Sequence, residues 1–159
     1  MGRDMVQGMW ATARPDLDTS AMEVIGPLKR IQRLLDEAME PIYVDAPLTS
    51  AELDICIRLR HDTNPTIARQ LADQMRHSRA AVSKTLNRLE ARGFVKREPS
   101  PNDKRAALIR LTPEGEAVTD RLFPRQLAQE VDLLEGLGDD RARVIDALEL
   151  LLDVLSRDK

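Results

Sequence analysis

Apolar residues recur at helical spacing along most of this chain. From Ser20 onward Val24, Ile25, Leu28, Ile31, Leu34, Leu35, Ala38, Met39 and Ile42 form one stripe. It predicts a long amphipathic helix that ends near Pro41, with Pro27 in or near its first turns. The preceding residues 1–20, which include the run RPDLD, read as an extension with a short helical piece around Val6 to Ala13. Thr49 or Ser50 is placed to cap a second helix, with Glu52 just inside it. Leu53, Cys56, Ile57 and Leu59 face inward, and the helix stops near His61. Asn64 and Pro65 read as an N-cap and a first helical residue, opening a short helix from Pro65 to Met75. Ser78 caps the next, Arg79 to Arg92, and Gly93 closes it.

After Gly93 the period changes. Phe94 to Arg97 reads as a strand and Ala107 to Leu111 as its partner, with turn chemistry and a charged tip from Glu98 to Arg105 between them. Thr112 and Pro113 cap and start another helix, carrying Val118, Leu122, Leu127, Val131 and Leu134, which Pro124 should bend. Gly136 and Gly138 end it, and Asp139 caps a last helix with Val144, Ile145, Leu148, Leu151, Leu152 and Leu155. The predicted class is mainly α with a small β-wing.

Composition narrows the picture. A chain of 159 residues holds one domain of ordinary size and is too short for two catalytic domains. Only 3% of residues are aromatic and seven are glycine, which disfavours a strand-rich barrel. The longest apolar run, Ala147 to Leu155, is broken by Glu149 and Asp153, so no membrane span is expected. The start MGRDMVQGMW lacks the features of a secretory signal, and one cysteine cannot make an intrachain disulfide, so the expected location is cytoplasmic. The net charge of -3 argues at first against a nucleic-acid partner. It is an average over unlike parts: residues 58–110 hold 13 Lys and Arg against 5 Asp and Glu, a local +8, while residues 1–57 carry -5 and residues 111–159 carry -6. A basic block in an acidic frame is the footprint of a nucleic-acid-binding lobe, since phosphates sense local Lys and Arg; a basic solvated face is the alternative.

Order along the block decides between them. Helix, tight turn, capped helix and basic hairpin is the succession of a winged helix-turn-helix. On Arg79 to Arg92, Val82, Leu86 and Leu89 share one face, and Ala80, Ala81, Lys84, Asn87, Arg88 and Ala91 the other. The candidate DNA contacts here are Ser78, Arg79, Ala80, Ser83, Lys84, Asn87 and Arg88: small residues permit close approach, Lys84 and Arg88 supply donors, and the first amides favour a phosphate. No glycine-rich phosphate loop or GxSxG appears, and the pair Asp139 and Asp140 is accounted for as a helix cap, so no catalytic residue is expected. His61 and His77 have no Cys or second His at ligand spacing, so neither a metal nor a cofactor is expected.

At LTSAELDI, LADQMRHSRAAVSKTLNRLEARGFVKR and NDKRAALIRLTPEG the chain resembles the MarR family of transcriptional regulators, over Leu48 to Gly115 and with fitting helices on either side. Within these runs Leu71, Ala72, Met75, Ser78, Val82 and Leu89 keep the family spacing, and the wing from Asp103 and Arg105 to Gly115 is the most specific part. The resemblance implies a homodimer joined through its first and last helices, on double-stranded, pseudo-palindromic operator DNA. It implies a recognition helix in each major groove, Arg105 with Lys104 at a wing tip entering the minor groove, and Asp103 orienting the wing through an ion pair. The division that follows is an extension at 1–20, a dimerisation region at 21–48 and 113–159, and a DNA-binding lobe at 49–112. Broad apolar stripes on the terminal helices independently support a dimer, whose lobes would sit about 34–36 Å apart.

Family resemblance also implies repression relieved by a small anionic or phenolic effector or by cysteine oxidation. A DNA-binding module without small-molecule control is the alternative. Trp10, RPDLD and then Met22, Val24 and Ile25 resemble the urate-responsive subgroup, whose purine-binding residues correspond to Trp10, Asp54, Lys84 and Arg97. Lys84 departs from the arginine found there, since an ammonium cannot form arginine's planar fork. The plain alternative has Trp10 packing on the dimer and Asp54 as a surface or capping carboxylate. Cys56 on its apolar stripe reads as a buried inert thiol, with a redox switch as the alternative.

Overall fold

The computed structural model describes residues 3–62, 66–99 and 107–157. The described residues form two compact units, Met1–Asp45 and Ala46–Lys159. In the first, α1 (Arg3–Ala13) precedes α2 (Met22–Tyr43). Between them Asp18 accepts from the Ser20 amide at 2.9 Å, and Gln7 on α1 donates to Glu23 on α2 at 3.2 Å. The helix α2 runs through both Pro27 and Pro41. Its predicted stripe is present, yet Val24, Ile25, Ile31 and Leu34 each leave 41–49% of their surface exposed.

The second unit opens on α3 (Ser50–Arg60). Thr49 and Glu52 form a reciprocal capping box: the Thr49 hydroxyl accepts from the Glu52 amide at 3.3 Å, and the Thr49 amide donates to Glu52 Oε2 at 2.9 Å. The chain continues through β1 (Thr66–Ile67), α4 (Ala68–Met75), α5 (Arg79–Ala91), β2 (Val95–Pro99) and β3 (Ala107–Leu111). It ends with α6 (Pro113–Leu134), a 3-10 segment at Glu135–Asp140 and α7 (Arg141–Ser156). The sheet is antiparallel in the order β1-β3-β2, with Ile109 facing Thr66 on one side and Arg97 on the other. The core gathers Leu48, Leu53, Ile55 and Cys56 with Leu71, Val82, Leu86 and Leu89, closed by Val95, Ile109, Leu111, Val118 and Leu122. This is the predicted mostly helical class with a small wing.

One junction explains the run LTPEG. Gly93 at φ 77° ends α5 in a Schellman turn, its amide bonding to the Glu90 carbonyl and that of Phe94 to the Leu89 carbonyl. The Thr112 hydroxyl donates to the Gly93 carbonyl at 2.6 Å and accepts from the Gly115 amide at 3.1 Å, and the Thr112 amide donates to the Phe94 carbonyl. Pro113 takes the first helical position, where no amide is needed. Gly115 passes so close to the Phe94 carbonyl that a Cβ there would overlap it. A second tie holds α3 to α6: Arg60 forks onto both carboxylate oxygens of Asp120 at 2.8 Å.

Three local expectations need correction. Thr66 and Ile67 form a strand, not the first turn of a helix, because both pair with β3; the helix begins at Ala68, and Asn64 and Pro65 lie outside the described residues. The strand after Gly93 is shifted, spanning Val95–Pro99. Asp139 does not cap the last helix. It lies within the 3-10 segment, and the cap position falls to Asp140, whose backbone is αR and whose carboxylate turns to Arg143.

Candidate nucleic-acid interface

The turn between α4 and α5 is made sharp by Arg76, a non-glycine residue at φ 51°. The His77 amide returns to the Ala72 carbonyl at 3.0 Å and closes α4. One residue later the Ser78 hydroxyl caps α5 by accepting from the Ala81 amide at 3.2 Å. The helix then buries Val82, Thr85, Leu86 and Leu89. Its opposite face exposes Arg79, Ala80, Ala81, Lys84, Asn87, Arg88 and Ala91, with Ser83 at the margin. The outward face predicted for this helix is therefore present. Arg79 stands 4.0 Å from Asp73, while Lys84 and Arg88 form no ion pair among the described residues.

The C-terminal end of α5 is anchored from below. Arg92 pairs with the buried Glu52 at 3.1 Å, donates to the Pro47 carbonyl and lies 5.0 Å from the centre of the Phe94 ring. On the wing, Lys96 and Arg110 are directly opposed in the strand register. Their repulsion is relieved by Glu98, which meets Lys96 at 2.8 Å and Arg110 at 3.2 Å. Both cations hold the Glu98 carboxyl below its ordinary range, the hydrogen bond from Lys96 most strongly. Asp103, Lys104 and Arg105 of the predicted wing tip lie outside the described residues.

Residues suggested for a small ligand are distributed differently. Asp54 lines an open cavity of about 400 Å³ with Ile57, Arg58, Met75 and His77. Desolvation pushes its carboxyl up from the ordinary range, with His77 opposing and Glu130 adding to the shift. The His77 Nδ1 donates to the Met75 carbonyl at 2.6 Å. Lys84 and Arg97 do not line this cavity: Lys84 is on the outward face of α5, and Arg97 is held by Asn87 and Glu90. Trp10 belongs to the first unit and is 51% exposed. Cys56 is fully buried, and burial pushes its thiol up to about 11.

Two features escaped the sequence reading. The imidazole beside Asp54 is His77, hidden because a turn of left-handed backbone decides where it falls. The partner of Arg97 is α5, which strand alternation does signal, since Arg97 shares the inner face of β2 with Val95.

A model of the MarR family matches residues 58–106. The HTH-type transcriptional regulator PecS of Dickeya dadantii is 32% identical over 147 residues, covering 91% of this chain and 88% of that protein. The multiple antibiotic resistance protein MarR of Salmonella typhimurium is 31% identical over 119 residues, 73% of this chain and 78% of that protein. Among solved structures, the PcaV transcriptional regulator from Streptomyces coelicolor in complex with its natural ligand superposes with a TM-score of 0.75 at 22% identity, covering 90% of this chain and 99% of that one.

Proposed function

The chain belongs to the MarR family of DNA-binding transcriptional regulators, and on that premise we propose that it is a cytoplasmic, homodimeric repressor released from its operator by a small molecule. The observation that carries the DNA half is the pair of cations Lys84 and Arg88, without an ion pair among the described residues, on the outward face of a helix that follows a tight turn. Small Ala80 and Ala81 beside them let that face enter a major groove. The dimer rests on α7, a helix of 16 residues that buries none of them and exposes Leu150, Leu152, Val154 and Leu155 by more than half. A helix so apolar on its open side is stabilised by packing against another chain. Residues 21–48 and 113–159 serve that association, and residues 49–112 the DNA.

For the effector, the cavity beside Asp54 adjoins the turn into α5, so an occupant there bears on the helix that reads DNA. His77 and Arg58 suit a small anionic or phenolic compound. A purine-like effector is a second reading, for which the resemblance implies Trp10 and Asp54: the Asp54 carboxylate accepts ring N–H groups, and with Lys84 and Arg97 turned elsewhere Arg58 supplies the positive charge beside it.

Fluorescence anisotropy with the upstream duplex containing an inverted repeat tests the DNA reading. Tight binding that weakens with salt is expected, with a slope reduced by about 1 in Arg105→Ala. Binding no tighter than to a scrambled duplex would refute it. Calorimetric titration with salicylate and with urate separates the effectors: no heat from urate, or heat unchanged in Trp10→Ala, removes the purine reading.

A further inference from the structure

Asn87 stands between Lys84 and Arg88 on the outward face of α5, but half of its amide is already engaged. Arg97 reaches across from the inner face of β2, and its Nη2 donates to Asn87 Oδ1 at 2.6 Å. Its Nε is paired with Glu90 Oε2 at 3.3 Å. An arginine carries donors only, so the atom facing it is the amide carbonyl, and the amide NH2 turns away. Glu90, one helical turn beyond Asn87, holds the guanidinium in place. The Arg97 side chain is 33% exposed and that of Glu90 41%, so water reaches the pair and Asn87 stays open to the groove side.

An unconstrained asparagine selects adenine by donating to N7 and accepting from the N6 amino group at once. Here a charge-assisted bond takes one of the two lone pairs of the accepting atom and turns that oxygen toward Arg97, so the carbonyl and the NH2 group do not face one base edge together. Building on α5 as the recognition helix, we propose that Arg97 sets base specificity through Asn87, presenting the amide to the groove as a donor alone. The base pair it faces is then read for a purine acceptor such as N7 or O6, and adenine gains no advantage over guanine. Arg97 touches no base in this arrangement; it is a positioning residue, through which the wing bears on major-groove reading.

The test is selection of bound sites from a randomised duplex pool by the full-length protein and three variants. Asn87→Ala identifies the position by relaxing one base pair in each half-site. At that position the native protein should accept guanine at least as well as adenine. Arg97→Met keeps the aliphatic stem but frees the amide carbonyl, and should shift that single position toward adenine by about tenfold, the lower range of a bidentate contact. Glu90→Gln, an exposed change, should shift it the same way by less and keeps the test available if Arg97→Met does not fold. A native profile that already demands adenine there would overturn the proposal, as would variants that weaken all sequences evenly with an unaltered profile. Should the native protein select no sequence at all, the recognition reading falls and this proposal with it.

Discussion

Cys56 offers the sharpest quantitative test, because its environment separates an inert core thiol from a redox switch. Its side chain is fully buried on α3, and burial raises it from 9.0 to about 11 even though Thr119 hydrogen-bonds it. The thiolate is the reactive species. At pH 8 a thiol of ordinary value is ionised to about 10%, and one at 11 to about 0.1%, a roughly 100-fold difference before access is counted. Labelling with a chromogenic disulfide at pH 8 should therefore run at least about 100-fold slower in native protein than in urea. Peroxide should leave operator affinity unchanged, equally in Cys56→Ser. The same shift carries a pH signature of definite sign. The folded-state value lies above the unfolded one, so this contribution is fully present below pH 9. It is lost as pH rises through about 11, amounting to about 3 kcal/mol. Native labelling as fast as in urea, or a peroxide-dependent loss of DNA binding that Cys56→Ser abolishes, would refute the reasoning.

Gly115→Ala should destabilise by about 2–4 kcal/mol, a loss read in thermal melts, because its Cβ would meet a backbone carbonyl that cannot move aside. Arg92→Ala should cost about 2 kcal/mol by urea denaturation: it strands the buried Glu52 carboxylate, but the 42% exposure of Arg92 lets water replace part of the pair. Lys84→Ala should alter sequence preference in site selection more than Arg110→Ala, whose guanidinium is spent on Glu98; equal effects would place the groove-facing side elsewhere.

What could be read in advance was local. Thr49, Ser78 and Thr112 each bond the amide three residues on, and all three caps stand where their side chains place them. The inner stripe of α5 follows from a period of 3.6 and is buried as expected. Thr66 and Ile67 are strand against their local signal, because their pairing with β3 spans more than 40 residues while Asn64 and Pro65 favour a helix start. Asp139 and Asp140 are equivalent as cap formers; the backbone at Gly138, φ 45°, sets the chain direction that puts only the second at the helix start. At the candidate site the exposed cations Lys84 and Arg88 follow from helical phase. The engagement of Asn87 does not, because it depends on which neighbour a long arginine side chain reaches.

The junction at Thr112 and Gly115, together with the Arg60 tie, has a mechanical meaning. Helix α6 has 22 residues and so spans about 33 Å. Its N-terminal end is hydrogen-bonded to the Gly93–Phe94 junction between α5 and β2, which ties the helix to the end of α5. For a straight rod of that length, a tilt of about 5° imposed at one end displaces the other by about 3 Å. That is close to one base-pair step, about 3.4 Å, so on the proposed reading of α5 as the DNA-facing helix a small rotation would put that face out of phase with a duplex.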